Sequence, residues 1–584
     1  MLMIANEGIG RFRMISKIPT LNAQGQGMRT YLSVFLLVLA FPAAAQQYAR
    51  NGMVVSASQI ASDVGVEILK DGGNAIDAAV ATAFALAVTW PSAGNIGGGG
   101  FIVYRKHTGE VTTFDFREKA PAAATPTMYL DESGNLIQDL NHLSILAVGV
   151  PGTVAGLYDA HRLYGKLPWS RIVRPAVRLA RRGFPYTYGL YHDAIAHEQR
   201  WKMLPSTAAV MFRDGTTLYQ PGEKWRQPDL ARTLARIKRR GKDGFYGGKT
   251  AEMLVSFIQS QGGIITLKDL AEYEARERKP VTGTYRDYEI YSMAPPSSGG
   301  ITLIHMLNIL EAFDLQAYGH NSAAYVHVVS EAMRRAYANR ALHLGDPDFN
   351  PDIPVERLTS KSYAATLRST IKPDTVSVSD PATFAQSYES PNTTHLSVVD
   401  KDGNAVSLTY TLEYSYGSQI VADGLGFFLN NEMGDFNPVP GLTNEEGLIG
   451  TTPNLIAPGK RMLSSMTPTI VAKDGKVFMV IGSPGGRSII GTVLQVILNV
   501  VDHEMDIASA IEAGRFYHQW LPDVVTFEKY SLTNDTRAIL SEMGHNFRQI
   551  RQQGAAMGIV VDASKGVLSG HADSRSPDGG VAGY

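Results

Sequence analysis

The chain has 584 residues, 44% of them hydrophobic, with 54 Lys plus Arg against 55 Asp plus Glu and a formal net charge of −1. This balance, with mean hydropathy close to zero, describes a soluble globular protein with a large core and gives no field favouring nucleic acid or an anionic membrane. Cysteine is absent, which excludes disulfide and thiol chemistry and leaves stability to packing.

Arg29, the apolar run 32–42 and Ala43-Ala44-Ala45 follow the charged, apolar, small-residue order of a secretory signal. A start at Met28 and cleavage after Ala45 are expected, making 1–45 an upstream extension plus signal and the protein periplasmic or secreted. The apolar run falls short of the ~20 residues that cross a bilayer, so no stable membrane span is expected. Ser56 and Gln59 then read as a capping box, followed by Ile60, Val64 and Ile68 at helical spacing until Gly72-Gly73. A second helix is expected from Asn74, and its run 75–88 is apolar all round, as in a helix buried between layers.

Four stretches alternate, turn at a polar glycine pair and alternate again: 101–116 around Thr108-Gly109, 394–411 around Asp402-Gly403, 469–481 around Asp474-Gly475, and 559–568 around Lys565-Gly566. Each predicts a β-hairpin. Between the first two lies a helix-rich stretch, 150–385, including 324–342. Hairpins at both ends and helices between predict an α+β fold, an antiparallel sheet core under helical layers. Residues 351–392, with Ser377, Ser379, Pro381, Ser387 and Pro391, read as a polar connection running abruptly into a strand. Such a segment suits a chain break.

Three tempting motifs fail. The phosphate-loop pattern at 243–250 needs glycine where Asp243 stands, Gly97 to Gly100 lack dinucleotide spacing, and the zinc-protease helix begun by His197-Glu198 has Trp201 at the second histidine position. The glycine run suits tight backbone packing near a ligand. No catalytic metal and no cofactor are expected.

The informative segment is Asn392-Thr393-Thr394-His395. A threonine hydroxyl is a weak nucleophile, and making the residue N-terminal lets its own α-amine, with pKa ~7.7–8.0, accept the proton. Such a residue is created by cleaving a precursor. His395 shares a strand face with Thr393, yet the amine already supplies a base, so a structural role is expected for it.

These residues belong to an ordered set: Asn51-Gly52-Met53-Val54-Val55, Asp71 to Ala79, Asn95 to Gly100, Phe116-Arg117-Glu118-Lys119-Ala120-Pro121, Gly149-Val150-Pro151-Gly152 and Ala294 to Gly300. Further on come Thr393-Thr394-His395, Leu429-Asn430-Asn431-Glu432-Met433, Leu463-Ser464-Ser465-Met466 and Gly482-Ser483-Pro484-Gly485-Gly486. Over nearly all of the chain after the leader, the sequence resembles the γ-glutamyltransferase (γ-glutamyltranspeptidase, glutathione hydrolase) family of the N-terminal-nucleophile hydrolases. The resemblance implies a four-layer αββα sandwich and self-cleavage at Asn392–Thr393 into a large subunit, 46–392, and a small catalytic subunit, 393–584, that stay together. It implies Thr393 as nucleophile, Thr411 as its orienting partner, and Gly485 and Gly486 as oxyanion donors. Arg117, Ser464 and Ser465 are implied to hold the substrate α-carboxylate, and Glu413, Glu432 and Asp435 its α-amine. The implied partners are glutathione and other γ-glutamyl compounds as donors and amino acids or dipeptides as acceptors.

Physical chemistry agrees with that assignment. Gly485-Gly486 follows a strand and precedes the apolar helix expected at 489–501, where backbone N–H groups meet a positive dipole end, and Arg117 ends the first hairpin with a fork suited to a carboxylate. The chain departs from the family in Glu413 where many members have Asn, Glu432 where other bacterial members have Gln, and Glu446, in the lid stretch 438–456, where an aromatic gate stands in lid-bearing relatives. Two other functions are compatible with the sequence: a same-fold acylase acting on glutaryl or cephalosporin side chains, and an uncleaved pseudoenzyme that binds γ-glutamyl peptides.

Overall fold

The computed structural model describes residues 47–380, 393–442 and 451–584. The leader 1–45, Asn392 and Glu446 lie outside the described residues.

Two seven-stranded sheets form the centre. One runs Gly580–Gly583, Met53–Ser56, Thr394–Val399, Ala405–Thr411, Gly99–Arg105, Val111–Asp115, Arg276–Arg278, and the other Gln47–Ala49, Val567–Ala572, Met557–Asp562, Lys476–Gly482, Thr469–Lys473, Tyr288–Ser292, Val281–Tyr285. Neighbouring strands in both are antiparallel. The sheets pack face to face; helices Gln59–Lys70 and Ala75–Thr89 cover the first, and Gly299–Leu310, Ser488–Val501 and Ile507–Glu512 the second. The order is helix, sheet, sheet, helix.

All four predicted hairpins are present, and their turn glycines, Gly109, Gly403, Gly475 and Gly566, have φ between 60° and 96°, where a side chain is strained. A fifth hairpin, Val281–Tyr285 with Tyr288–Ser292, was not predicted because its two-residue turn, Arg286-Asp287, contains no glycine. Arg286 takes φ 52° there. Its guanidinium compensates by holding the Asp502 carboxylate at 2.9 Å and the Phe313 carbonyl at 2.8 Å.

The capping box expected at Ser56 and Gln59 does not form. Ser56 ends a strand and its hydroxyl donates to the Ser58 carbonyl at 3.0 Å, while Ser58, the residue before the helix, makes no side-chain cap. The next helix carries such a box. Asn74 Oδ1 accepts from Asp77 N–H and Asp77 Oδ2 from Asn74 N–H, both at 3.0 Å, and every residue of Ala75–Thr89 is buried. The polar connection is also more ordered than expected: Val355–Leu358 and Lys361–Arg368 are helical, since Ser360 caps the second by accepting from Tyr363 N–H at 3.2 Å.

The strand Thr394–Val399 is buried along its length, and it pairs with Ala405–Thr411 in a register that sets Thr394 opposite Tyr410 and His395 opposite Thr409. One step back, Thr393 lies against Thr411. Their inter-sheet face is polar and stitches the sheets together. Ser397 Oγ donates to Met557 O at 3.0 Å, and Ser407 Oγ donates to Ile481 O at 3.0 Å while accepting from Thr469 N–H at 2.9 Å.

The glycine run Gly97 to Gly100 packs against backbone and core side chains: a Cβ on Gly98 would stand 2.0 Å from the Thr411 carbonyl oxygen, and one on Gly97 2.4 Å from that of Phe428. Gly98→Ala is therefore expected to lower unfolding stability by about 1–3 kcal/mol, the usual scale of overpacking, read as an earlier urea midpoint. An unchanged midpoint would mean that the strand end carrying Thr411 yields freely.

Candidate active site

Eight of the ten residues singled out in the sequence line one small cavity: Arg117, Thr393, Thr411, Glu413, Asp435, Ser464, Ser465 and Gly486, joined by Met466 and Ile489. The hydroxyls of Thr393 and Thr411 are 3.5 Å apart, and Thr411 Oγ1 accepts from Glu413 N–H at 2.9 Å. Asn95 fixes the Thr411 backbone, donating to its carbonyl at 2.8 Å while accepting from Gly98 N–H and Thr153 Oγ1 at 2.9 and 2.7 Å. Asn430 braces the next layer out in the same way. Its amide donates to the Gly97 and Gly149 carbonyls at 2.8 and 2.9 Å, and its oxygen accepts from Gly149 and Glu432 N–H at 2.8 and 3.1 Å.

Gly485 and Gly486 have φ 132° and 54°, a turn that side chains disfavour. Their carbonyls accept from Ser488 and Ile489 N–H at 3.1 and 3.0 Å, which leaves the glycine N–H groups at the positive end of helix Ser488–Val501. Gly486 lines the small cavity, whereas Gly485 lines a neighbouring cavity of about 860 Å³ that also has Thr393 in its wall. The nucleophile candidate thus stands where two spaces meet.

Arg117 is fully buried. It pairs with Asp435 and Glu432, and its Nη1 is 3.6 Å from Glu118. The set of acids read as an ammonium pocket therefore already contains a cation. Glu432 does not line the cavity; it stands behind Arg117, and burial pushes its carboxyl well above the usual range despite the guanidinium. Glu118, which was not singled out, is likewise fully buried, and burial raises its carboxyl to about 8 against the pull of Arg117. Glu118 is thereby shifted toward its neutral form at neutral pH, and burial displaces Glu432 in the same direction. The cavity wall itself then carries one guanidinium and the two acids Glu413 and Asp435.

His142 and Asn454 were also missed. His142 Nδ1 is 3.2 Å from Glu413 Oε2, its ring stacks on Tyr414 with centroids 4.7 Å apart, and burial lowers it to about 4, so the neutral ring donates to the carboxylate. Glu413 itself has φ 82°, a strained backbone conformation in the cavity wall. Asn454 donates to the Asp435 carbonyl at 2.7 Å and accepts from Leu463 N–H at 2.9 Å, tying the base of the lid stretch to both walls of the cavity. No sequence signal marks either residue: His142 works through a contact between distant segments, and Asn454 through the folding of its own loop region. His395 turns away from the reaction: its ring is bonded to Thr409 Oγ1 at 2.8 Å and Ser397 Oγ at 3.0 Å, and burial lowers it to about 3. Among the described residues no group of His, Cys, Asp and Glu is arranged to hold a metal.

The family model described as gamma-glutamyltranspeptidase matches residues 61–584. The chain belongs to the γ-glutamyltranspeptidase family. It is 46% identical over 545 residues to the glutathione hydrolase proenzyme of Escherichia coli, covering 92% of both chains. Among solved structures, the γ-glutamyltranspeptidase of Helicobacter pylori is 46% identical with TM-score 0.54, over 55% of this chain and 91% of that one. The cephalosporin acylase of Bacillus halodurans is 27% identical with TM-score 0.81, over 92% of this chain and 97% of that one. In this member of the family the cavity wall holds Arg117 and Asp435 as an ion pair.

The neutral Glu118 gives a pH signature. An acid whose folded pKa is raised loses its contribution as pH climbs from the unfolded value, near 4.5, to about 8. Glu118→Gln removes that titration. The stability of the variant relative to wild type should therefore improve steadily between about pH 5 and pH 8, then level off; a difference independent of pH would show that Glu118 is ionised in the folded protein.

Proposed function

We propose that the protein is a γ-glutamyltransferase and glutathione hydrolase, made active by cleavage of its own chain before Thr393. The observation that carries the reading is the convergence of Thr393, Gly486, Arg117 and the serine pair on one cavity. Freed as an N-terminus, the Thr393 amine takes the proton of its own hydroxyl as the oxygen attacks the γ-carbonyl of the donor. Negative charge on that carbonyl oxygen is met by the N–H groups of Gly485 and Gly486, which need no reorganisation. Collapse of the adduct expels the amine, which takes up the proton, and leaves a γ-glutamyl ester on Thr393. Water then gives glutamate, and an amino acid or dipeptide gives a new γ-glutamyl amide.

In this reading Arg117, Ser464 and Ser465 grip the α-carboxylate and Glu413 and Asp435 the α-ammonium, with Glu432 acting through Arg117. Cleavage yields chains 46–392 and 393–584, of which the first supplies Arg117 and His142, so neither works alone. A location in the periplasm or outside the cell is part of the proposal, supported by the signal-like stretch from Arg29 to Ala45.

The leaving or accepting amine has the 860 Å³ cavity before it, since that space shares Thr393 with the glutamyl site. Arg548 and Arg551 line that cavity, charges that suit the carboxylate of a peptide. Glycylglycine should therefore be a better acceptor than its C-terminal amide, and Arg551→Gln should narrow the difference while leaving hydrolysis of γ-glutamyl-p-nitroanilide unchanged. Equal use of both acceptors by wild type would remove the arginines from acceptor binding.

The acylase reading is favoured by the similarity to the Bacillus halodurans enzyme. Charge argues against it. A glutaryl group lacks the ammonium that balances the second acid of the cavity, so wild type should prefer a γ-glutamyl anilide to the glutaryl anilide by about tenfold or more. Purified wild type should contain two chains, the smaller beginning with threonine, and Thr393→Ala should remain one inactive chain. Cleavage in that variant, or equal turnover of the two anilides, would overturn the respective half of the reading.

A further inference from the structure

Arg340 lies in the helix Ala323–His343, is 3% exposed, and reaches the wall of the glutamyl cavity from behind. Its Nη2 donates to Ser465 Oγ at 2.9 Å and its Nε donates to Ser298 Oγ at 2.8 Å. The Ser298 hydroxyl donates in turn to the Ser464 carbonyl at 2.6 Å, which also accepts from Ser298 N–H at 2.7 Å. One buried guanidinium thus secures both serines.

We propose that Arg340 is a positioning residue that fixes the direction of the Ser465 hydroxyl proton and so makes Ser465 a donor to the substrate α-carboxylate. The inference rests on the γ-glutamyl reading above. A serine hydroxyl has one proton and two lone pairs, and an arginine can only donate. Once Arg340 occupies a lone pair of Ser465, the proton of that hydroxyl points elsewhere, and Ser465 lines the cavity. Ser464 is arranged alike, because its Oγ accepts from Met466 N–H at 3.1 Å. Both hydroxyls accept from the framework and turn their protons to an anion. The guanidinium also polarises the Ser465 O–H, which strengthens its bond to a carboxylate. Arg117 alone offers less, since its charge is already met by Asp435.

The test compares γ-glutamyl-p-nitroanilide with 4-aminobutyryl-p-nitroanilide, the same substrate without its α-carboxylate. In Arg340→Met, kcat/KM for the first should fall about tenfold or more, the scale of one hydrogen bond to a charged group, and the second should change much less. In a Ser465→Ala background, Arg340→Met should no longer alter the ratio of the two substrates. Arg340→Lys, which keeps a charge but not the planar fork, should retain an intermediate ratio and covers the case in which the methionine variant fails to fold. Equal losses on both substrates, or an unchanged effect without Ser465, would make Arg340 a packing residue and overturn the proposal. A wild type that did not prefer the γ-glutamyl substrate would instead sink the γ-glutamyl reading.

Discussion

The antiparallel register between Thr394–Val399 and Ala405–Thr411 is the constraint on which the rest depends. A slip of one residue would turn every side chain of the strand to the opposite face, taking Thr393 away from Thr411 and the cavity. The register is held from three sides: by the glycine turn at Gly403, by Ser397 and Ser407 bonding the facing sheet, and by His395, whose two ring nitrogens join Thr409 and Ser397. With Ser397 donating onward to Met557, the ring carries its proton on Nε2 and accepts from Thr409 at Nδ1. The polar stripe between the sheets is thus a lock on the position of Thr393, which explains a histidine and several hydroxyls where an apolar interior would be the simpler choice.

Electrostatics sets the second level of organisation. Arg117 sits out of water among Glu118, Glu432 and Asp435, and burying so many charges together would be unfavourable if all were ionised. Burial raises Glu118 and Glu432, which eases that conflict, and of the acids paired with Arg117 only Asp435 lines the cavity. The site is then poised for a ligand that carries both signs on one carbon. In the proposed reading an α-carboxylate competes with Asp435 for Arg117, and an α-ammonium takes up the acid so released. On the proposed function, selection for an amino-acid head group follows from a charge pair that the ligand exchanges partners with, and the role proposed for Arg340 adds the serine donors from behind.

Much of the scaffold could be read directly from the chain. Four hairpins announced themselves because a positive-φ turn favours glycine, and Ala75–Thr89 because no side of it is polar. The hairpin turning at Arg286-Asp287 stayed hidden, since a charged side chain with three partners replaces glycine there. Ser56 misled because strand pairing and its bond to Ser58 outweighed a local cap. The site was legible only through motifs spread over the whole chain. Neither Arg117 nor the Ser464-Ser465 pair signals a site by itself, an arginine at a strand end being commonly a surface charge and a serine pair a turn. Glu118 stood in a quoted motif but carried no role of its own, since its chemistry arises from burial beside Arg117, while His142 and Arg340 act through contacts between segments far apart in the chain and Asn454 through contacts within its own region.

The most direct measurement of the central claim is the intact mass of the small chain after acid quenching during turnover of a γ-glutamyl donor. A species heavier by one glutamyl group, with the added mass mapped by fragmentation to the side chain of Thr393 and removed by glycylglycine or time, is the predicted result. Rapid product formation with no such species under single-turnover conditions, or an adduct on another residue, would contradict the account.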